Sequence, residues 1–304
     1  MDQPWAPEQS ISSEAACKII DKQFPMLKPA SAKVLGEGFD NSVFLVNDRY
    51  VFRFPRREIA VPLVQMETRL LSALAAKLPI AVPAPEFQGV PEGDYPWPFA
   101  GYQLIPGQLP SELTDDQRLQ SAVPFANFLR TLHSVPTKKA EELGIPYDIH
   151  GRLAIDKRKP MFEENIKKAK QMGLIDQTIV LRLQEFAQSV SNEIHAEKPA
   201  LVHGDLHIRN FLVNETGVVS GVIDWGDAHI GNPAIDLSIA YSFIPSEGRS
   251  LFFDVYGEID TQTRTLARFK ALYTSLLLLL YGHDTGDLDC VRESRHAINL
   301  ALRD

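Results

Sequence analysis

Two rhythms of hydrophobic and polar positions divide this chain. From Ser10 to Phe24 the apolar residues Ile11, Ala15, Ile19 and Ile20 recur at helical spacing, which predicts a short leading helix. Three strand-like runs follow: SAKVLGEG, which ends in glycines, then NSVFLVN and YVFRF, which alternate. The short NDR link makes the last two a hairpin. IAVPLVQMETRLLSALAAKL reads as an amphipathic helix, with Pro62 tolerated only in its first turn. PEFQGV and FAGYQLI complete an expected five-stranded antiparallel sheet carrying one helix. After PGQLP the period changes. QRLQSAVPFANFLRTLH, MFEENIKKAKQM and QTIVLRLQEFAQSVSNEI are helical patterns, and only NFLVN and VVSGVID, around the turn ETG, look like strands. The expected fold is α+β with two lobes: residues 1–105, β-rich, and residues 106–304, mostly helical.

Composition narrows this picture little. The formal net charge is -8, which argues against a nucleic-acid partner and leaves cationic small molecules open. The acidic excess is greater in the second lobe. Two distant cysteines, Cys17 and Cys290, fit no disulfide framework or zinc site and suit a reducing cytoplasm. No signal peptide is visible at MDQPWAPEQS. The most apolar run, ALYTSLLLLLY, falls short of the ~20 residues needed to span a bilayer and is expected to be a buried helix, so no membrane partner is expected. No obligate protein partner is evident either.

The polar residues at element ends carry the candidate chemistry. In GEGFDNS, Gly36 and Gly38 would let backbone N–H groups approach a phosphate chain, although alone the segment reads more readily as an ordinary strand-to-strand turn. It lacks the GK[ST] ending of a P-loop, and a strand rather than a helix follows it. Arg53, on a strand of apolar neighbours, and Glu67, on the next helix, could form a phosphate-anchoring pair or be two surface charges. In HGDLHIRN, Asp205 and Asn210 are five residues apart, and Asp224 follows nineteen residues after Asp205 at the end of GVID. The hairpin between Asn210 and Asp224 could place an amide and a carboxylate oxygen side by side. Such hard oxygens suit Mg²⁺ and would leave Asp205 facing an acceptor hydroxyl. The intervals are those of a protein-kinase catalytic loop and its metal-binding aspartate. His203 and His207 lack a third zinc ligand; His203 is expected to bond nearby backbone, and His207 to face substrate or solvent.

HGDLHIRN, VIDWGDAHIGNPAIDL and VFRFPR resemble the diagnostic segments of the aminoglycoside phosphotransferase family, small-molecule kinases of protein-kinase-like fold, over nearly the whole chain. LHSVP, FRFPRR and YGHDTGDLDCVRESRHAI are also similar to macrolide 2'-phosphotransferases. The resemblance implies an NTP-dependent phosphotransferase with Asp205 as base, Asn210 and Asp224 on Mg²⁺, and Glu67 fixing the strand cation. Gly36, Gly38, Asn41, Ser42 and Arg53 would lie on the phosphates of ATP or GTP. The backbone of Gln103, Leu104 and Ile105 would meet the purine, and Asp236 would brace the catalytic loop. Three departures stand out: Arg53 replaces the usual lysine, Asn41 replaces the third loop glycine, and Trp225 stands where protein kinases have Phe. The expected acceptor is a small, cationic hydroxyl compound. It is an antibiotic or, alternatively, a metabolic amine or sugar; a nucleotide-binding pseudokinase is the remaining reading. Candidate acceptor linings are Asp254, Glu258, Asp260, Asp284 and Asp287, or Tyr241, Phe243, Leu276, Leu280 and Tyr281.

Overall fold

The computed structural model describes residues 7–37, 40–191 and 198–303. Its contacts divide into two compact units: residues 1–77 with 81–105, and residues 78–80 with 106–304. In the first, α1 (Ser13–Gln23) begins where Ser12 accepts a hydrogen bond from the N–H of Ala15, and it buries Ala16, Ile19 and Ile20. Strands β1 (Ala32–Glu37), β2 (Asn41–Val46) and β3 (Tyr50–Pro55) form antiparallel pairs. The three-residue link Asn47–Asp48–Arg49 makes the β2–β3 turn, with Asn47 and Asp48 both in the left-handed region at φ 53° and the N–H of Arg49 donating to the Val46 carbonyl at 3.1 Å. Helix α2 (Val61–Leu74) follows, with Pro62 in its first turn. β4 (Pro85–Gly89) and β5 (Phe99–Gln103) close a five-stranded sheet in the order β1-β2-β3-β5-β4. Phe44, Phe52, Phe54, Tyr95 and Phe99 form its core with the buried face of α1. A side chain at Gly101 would meet the Phe52 ring at 2.5 Å, which explains the small residue in a central strand. The helical stretch Glu58–Lys77 is long and apolar enough to cross a membrane by length and composition alone; its Leu70 and Leu71 are fully buried in this unit.

The second unit opens with α3 (Asp115–Leu119), capped by a Thr114–Gln117 box, and α4 (Ala122–His133). The sequence suggests one continuous helical run here, but the structure breaks it at Gln120–Ser121. Pro124 would clash with the carbonyl of residue 120 in an unbroken helix and is tolerated in the first turn of a new one. The break frees Ser121, whose Oγ accepts the N–H of Val219 at 2.9 Å. Helices α5 (Thr137–Glu142), α6 (Ile155–Gln171) and α7 (Gln177–Ser189) follow. Then come β6 (Ala200–Val202), β7 (Phe211–Val213), β8 (Val219–Val222) and β9 (His229–Gly231). β7 and β8 form the expected hairpin. β9, which the sequence pattern does not announce, pairs antiparallel with β6. The chain continues through α8 (Ala234–Leu237), α9 (Ile239–Ser242), α10 (Ser246–Tyr256), α11 (Thr261–Thr285) and α12 (Leu288–Leu302). The leucine-rich run lies within α11 and buries Leu272, Leu276 and Leu279, as expected of a core helix.

Arg118, 1% exposed, is held in this core by an ion pair with buried Glu293, by the carbonyl of Leu113 at 3.3 Å and by the Phe243 ring 4.9 Å away. Glu293→Gln keeps an acceptor but leaves the guanidinium without a counter-charge. Denaturant unfolding should show a loss of about 2–3 kcal/mol.

Candidate active site

β6 delivers the chain into a loop, residues 203–210, and β7 carries it away. Buried Asp236 on α8 holds the start of this loop. Its Oδ2 accepts the N–H of His203 at 2.7 Å, its Oδ1 accepts the N–H of Gly204 at 2.9 Å, and His133 Nε2 lies 3.1 Å from Oδ2. Tyr256 OH sits 2.8 Å from the other His133 nitrogen, so the support reaches back to α10. Burial opposes ionisation of Asp236, yet the His133 bond and charge, the nearby His203 and the Gly204 amide hold its carboxyl below the usual range. Gly204 has φ 88°, and a side chain there would lie 2.3 Å from the carbonyl oxygen of Asp227.

Asp205 projects from this anchored loop. Its Oδ2 accepts from Asn210 Nδ2 at 3.1 Å and lies 3.2 Å from His207 Nε2; Asn210 Nδ2 also donates to the Asp205 carbonyl at 2.8 Å. His207 Nδ1 accepts the N–H of Arg209 at 3.2 Å, which leaves the proton on Nε2, toward Asp205. His203 fixes the backbone in the same way: Nδ1 accepts the N–H of Asp205 at 3.3 Å, and Nε2 reaches the carbonyl of Ile223 at 3.0 Å. Burial alone would raise the Asp205 carboxyl, but His207, through charge and hydrogen bond, then Lys270 and His203, hold it well below the ordinary carboxylate range.

The β7–β8 hairpin places Phe211 opposite Val222, and the N–H of Ile223 donates to the Asn210 carbonyl at 2.9 Å. Asp224 is the next residue. It lies two positions beyond β8, solvent-exposed and with φ 63°, rather than at the end of a buried strand as the sequence suggests. The strand ends early because the chain turns into the left-handed region there. Asn210, with its amide nitrogen committed to Asp205, has its Oδ1 left to act as a donor atom. One neutral oxygen and one carboxylate suit Mg²⁺.

In the first unit Arg53 Nη1 donates to both oxygens of buried Glu67, at 2.8 and 2.9 Å, so these residues are a pair rather than two surface charges. The glycine segment is shorter than the sequence suggests. Gly36 lies within β1, opposite Val43 and beside a bulge, while Asn41 and Ser42 are buried members of β2. Gly38 lies outside the described residues. Arg57 pairs with Asp40 beside this segment. The N–H of Leu104 donates to the Arg49 carbonyl at 2.8 Å, which removes it from the hinge groups open to a purine; Gln103 and Ile105 flank it.

Residues 31–272 match the model of the phosphotransferase enzyme family. The chain belongs to this family. This phosphotransferase shares the kinase-like fold of several solved phosphotransferases. It shares 25% identity and a TM-score of 0.68 with aminoglycoside 2'-phosphotransferase-IIIa in its GDP complex, covering 96% of this chain and 99% of that one. It shares 26% identity and a TM-score of 0.64 with the GDP and kanamycin complex of APH(2'')-IIIa, covering 93% and 97%. Macrolide 2'-phosphotransferase type I has the same fold at 19% identity, a TM-score of 0.58 and coverage of 94% and 97%. The protein YcbJ of Bacillus subtilis strain 168 is 23% identical over 286 residues, 90% of this chain and 89% of that one.

Several of the acceptor linings suggested by the sequence also have structural places in this phosphotransferase. Asp260 caps α11, and Asp287 caps α12 and binds Arg209 at 2.5 Å, while Tyr241, Phe243 and Leu276 are core residues. Arg209 also lies 5.1 Å over the Tyr281 ring, which gives it a structural place. Three contributors around the loop were not picked out from sequence: His133, the β9 strand and Lys270. LHSVP, which contains His133, entered only as a family likeness.

Proposed function

We propose that this enzyme transfers the γ-phosphoryl group of ATP or GTP to a hydroxyl of a small molecule. The observation that carries the reading is the Asp205 carboxylate, kept ionised and aimed by His207, Asn210 and the Asp236-anchored loop. The acceptor oxygen forms the new P–O bond, the bond from the γ-phosphorus to the β,γ-bridging oxygen breaks, the nucleoside diphosphate leaves, and the proton passes to Asp205. Phosphoryl transfer of this kind depends on positioning and charge stabilisation, so Asp205 has no need of a raised pKa. Asn210 Oδ1 and the Asp224 carboxylate would hold Mg²⁺, which neutralises phosphate charge when bound. The first unit would hold the nucleotide: the glycine segment and Arg53, fixed by Glu67, on the phosphates, and the backbone of Gln103 to Ile105 at the base. The second unit would hold the acceptor. A nucleotide donor is supported by the GDP bound in two of the similar structures. A cytoplasmic location fits the donor and the two free thiols.

The aminoglycoside and macrolide enzymes of like fold point to an antibiotic acceptor, inactivated by phosphorylation. A metabolic hydroxyl compound is the second reading, favoured by the cations beside Asp205. Incubating the protein with Mg²⁺ and ATP or GTP against aminoglycosides, macrolides and metabolic hydroxyl compounds should give acceptor-dependent diphosphate release. Release from none of them, with nucleotide still bound, would indicate a pseudokinase. Expression in a susceptible host should raise resistance to one drug class if the acceptor is an antibiotic; unchanged growth inhibition would leave the metabolic reading.

A further inference from the structure

The roles assigned so far leave Lys270 unused. It lies on α11, which packs against α6 and α8, and its side chain is partly buried. Among the described residues its ammonium makes no hydrogen bond and no ion pair within 4.0 Å. Four charges act on it: Asp205 and Asp236 attract it, and Arg152 and Arg158 repel it. Three of these four are engaged with opposite charges or fixed donors. Asp236 receives His133 and two backbone N–H groups. Asp205 receives His207 and Asn210 on one oxygen. Arg152 binds Asp148 at 3.3 Å and also Asp227. Arg158 differs. It donates to the carbonyls of His150 at 2.8 Å and Gly151 at 3.0 Å and lies 6.0 Å from the Tyr273 ring, all neutral partners.

Lys270 and Arg158, on the packed helices α11 and α6, are therefore neighbouring cations that bind no carboxylate of the described residues within 4.0 Å, and Lys270 lies in the field of Asp205. Shielding an ammonium even partly from water without a bonded partner is costly. Burial depresses Lys270, and Asp205 offsets this only in part. An arriving anion would relieve the cost, whereas an arriving polycation would increase it.

We propose that Lys270, assisted by Arg158, is the subsite for an acidic group of the acceptor, so that the molecule presenting its hydroxyl to Asp205 also carries a carboxylate or phosphate. This rests on the phosphotransfer reading above and makes the acceptor a small hydroxy acid or hydroxy amino acid rather than a polyamine. Lys270 recognises the acceptor's acid while Asp205 takes its hydroxyl proton, and the distance between the two groups selects chain length.

The test uses the full chain with Mg²⁺ and ATP or GTP. Acceptors are matched in hydroxyl but not in charge: glycerate, glycerol and serinol; homoserine and homoserinol; glycerol 3-phosphate; and kanamycin. The wild type should favour the acids. Lys270→Met should raise KM for the preferred acid about 10- to 100-fold, the range for losing a charge-assisted hydrogen bond, with a smaller change in kcat. Lys270→Arg should restore most of the loss. Lys270→Gln, with thermal unfolding of each variant, separates misfolding from lost recognition. Preference for glycerol, serinol or kanamycin overturns the inference, as does an unchanged KM in Lys270→Met. An equal fall in kcat on every acceptor also overturns it, since Lys270 would then face the transferring group. If the wild type phosphorylates none of these compounds, calorimetry decides: acids bound by the wild type and not by Lys270→Met uphold the subsite, and no acid bound overturns it. The phosphotransfer reading fails separately, if Mg²⁺-dependent release of the γ-phosphate is absent with every acceptor and with water.

Discussion

Asp205→Asn is expected to lower kcat by about 10²–10⁴, the usual contribution of a positioned acid–base group, while the nucleotide dissociation constant stays within about twofold. The replacement is nearly isosteric. In the wild type both His207 and Asn210 approach Oδ2, at 3.2 and 3.1 Å. The amide oxygen of the variant can take the place of Oδ2 and accept both, so the loop keeps its shape and the loss isolates the missing charge. The Asp236 contacts to His203 and Gly204 lie on the other side of the loop and are untouched. Steady-state kinetics on whichever acceptor the panel identifies, with calorimetry for the nucleotide, measures both quantities. A variant keeping a tenth or more of wild-type kcat would sink the assignment of Asp205. Its carboxyl lies well below the usual carboxylate range, so the wild-type rate should show no carboxylate-dependent acid limb across neutral pH. Asp205→Ala should lose as much kcat and also some loop order, because Asn210 and His207 would lose their common acceptor.

The features legible in the sequence are those set by neighbours along the chain. The β2–β3 hairpin follows from two alternating runs and the short Asn-Asp-Arg link, whose first two residues turn out to be left-handed. The five-residue interval from Asp205 to Asn210 translates into a direct side-chain bond because the loop folds back on itself. Pro124 carried a break signal that the apolar periodicity of residues 117–133 obscured. What the sequence hid depends on distant partners. Nothing near His133 announces that its ring will support Asp236, more than a hundred residues on. Lys270 reads as the polar face of a helix until α11 packs beside the loop. HIG in β9 is too short to show alternation, and only pairing with β6 makes it a strand. The exposure of Asp224 was misjudged for a related reason: GVID looks continuous, but the strand ends before its last two residues.

The second large effect is expected at Asp236. Three donors converge on its two oxygens: the N–H groups of His203 and Gly204, and His133 Nε2. In Asp236→Asn one oxygen becomes an NH₂ group, so whichever way the amide is turned at least one of these donors meets another donor. The side chain is fully buried, and no water replaces the lost acceptor without a local rearrangement. Removing one partner from a buried charged network costs roughly 3–5 kcal/mol, a large share of the roughly 5–15 kcal/mol that holds a typical domain together. Urea unfolding of the two proteins should show that gap at neutral pH. The gap should also depend on acid. The folded-state carboxyl is lowered, so its stabilising contribution is complete above the unfolded value of about 3.9 and disappears as the pH falls through the folded value. Wild type and Asp236→Asn should therefore converge in stability as the pH is taken below about 4. A gap that stays constant through that range would show that the lost contacts, rather than the charge, account for the destabilisation. Activity adds a second readout. Asp236 touches no reacting atom, so a partly folded Asp236→Asn population should lose kcat through the backbone of His203 and Gly204, and osmolytes that restore folding should restore part of the rate. Asp205→Asn should gain nothing from the same treatment, because its loop is already in place and only the charge is missing.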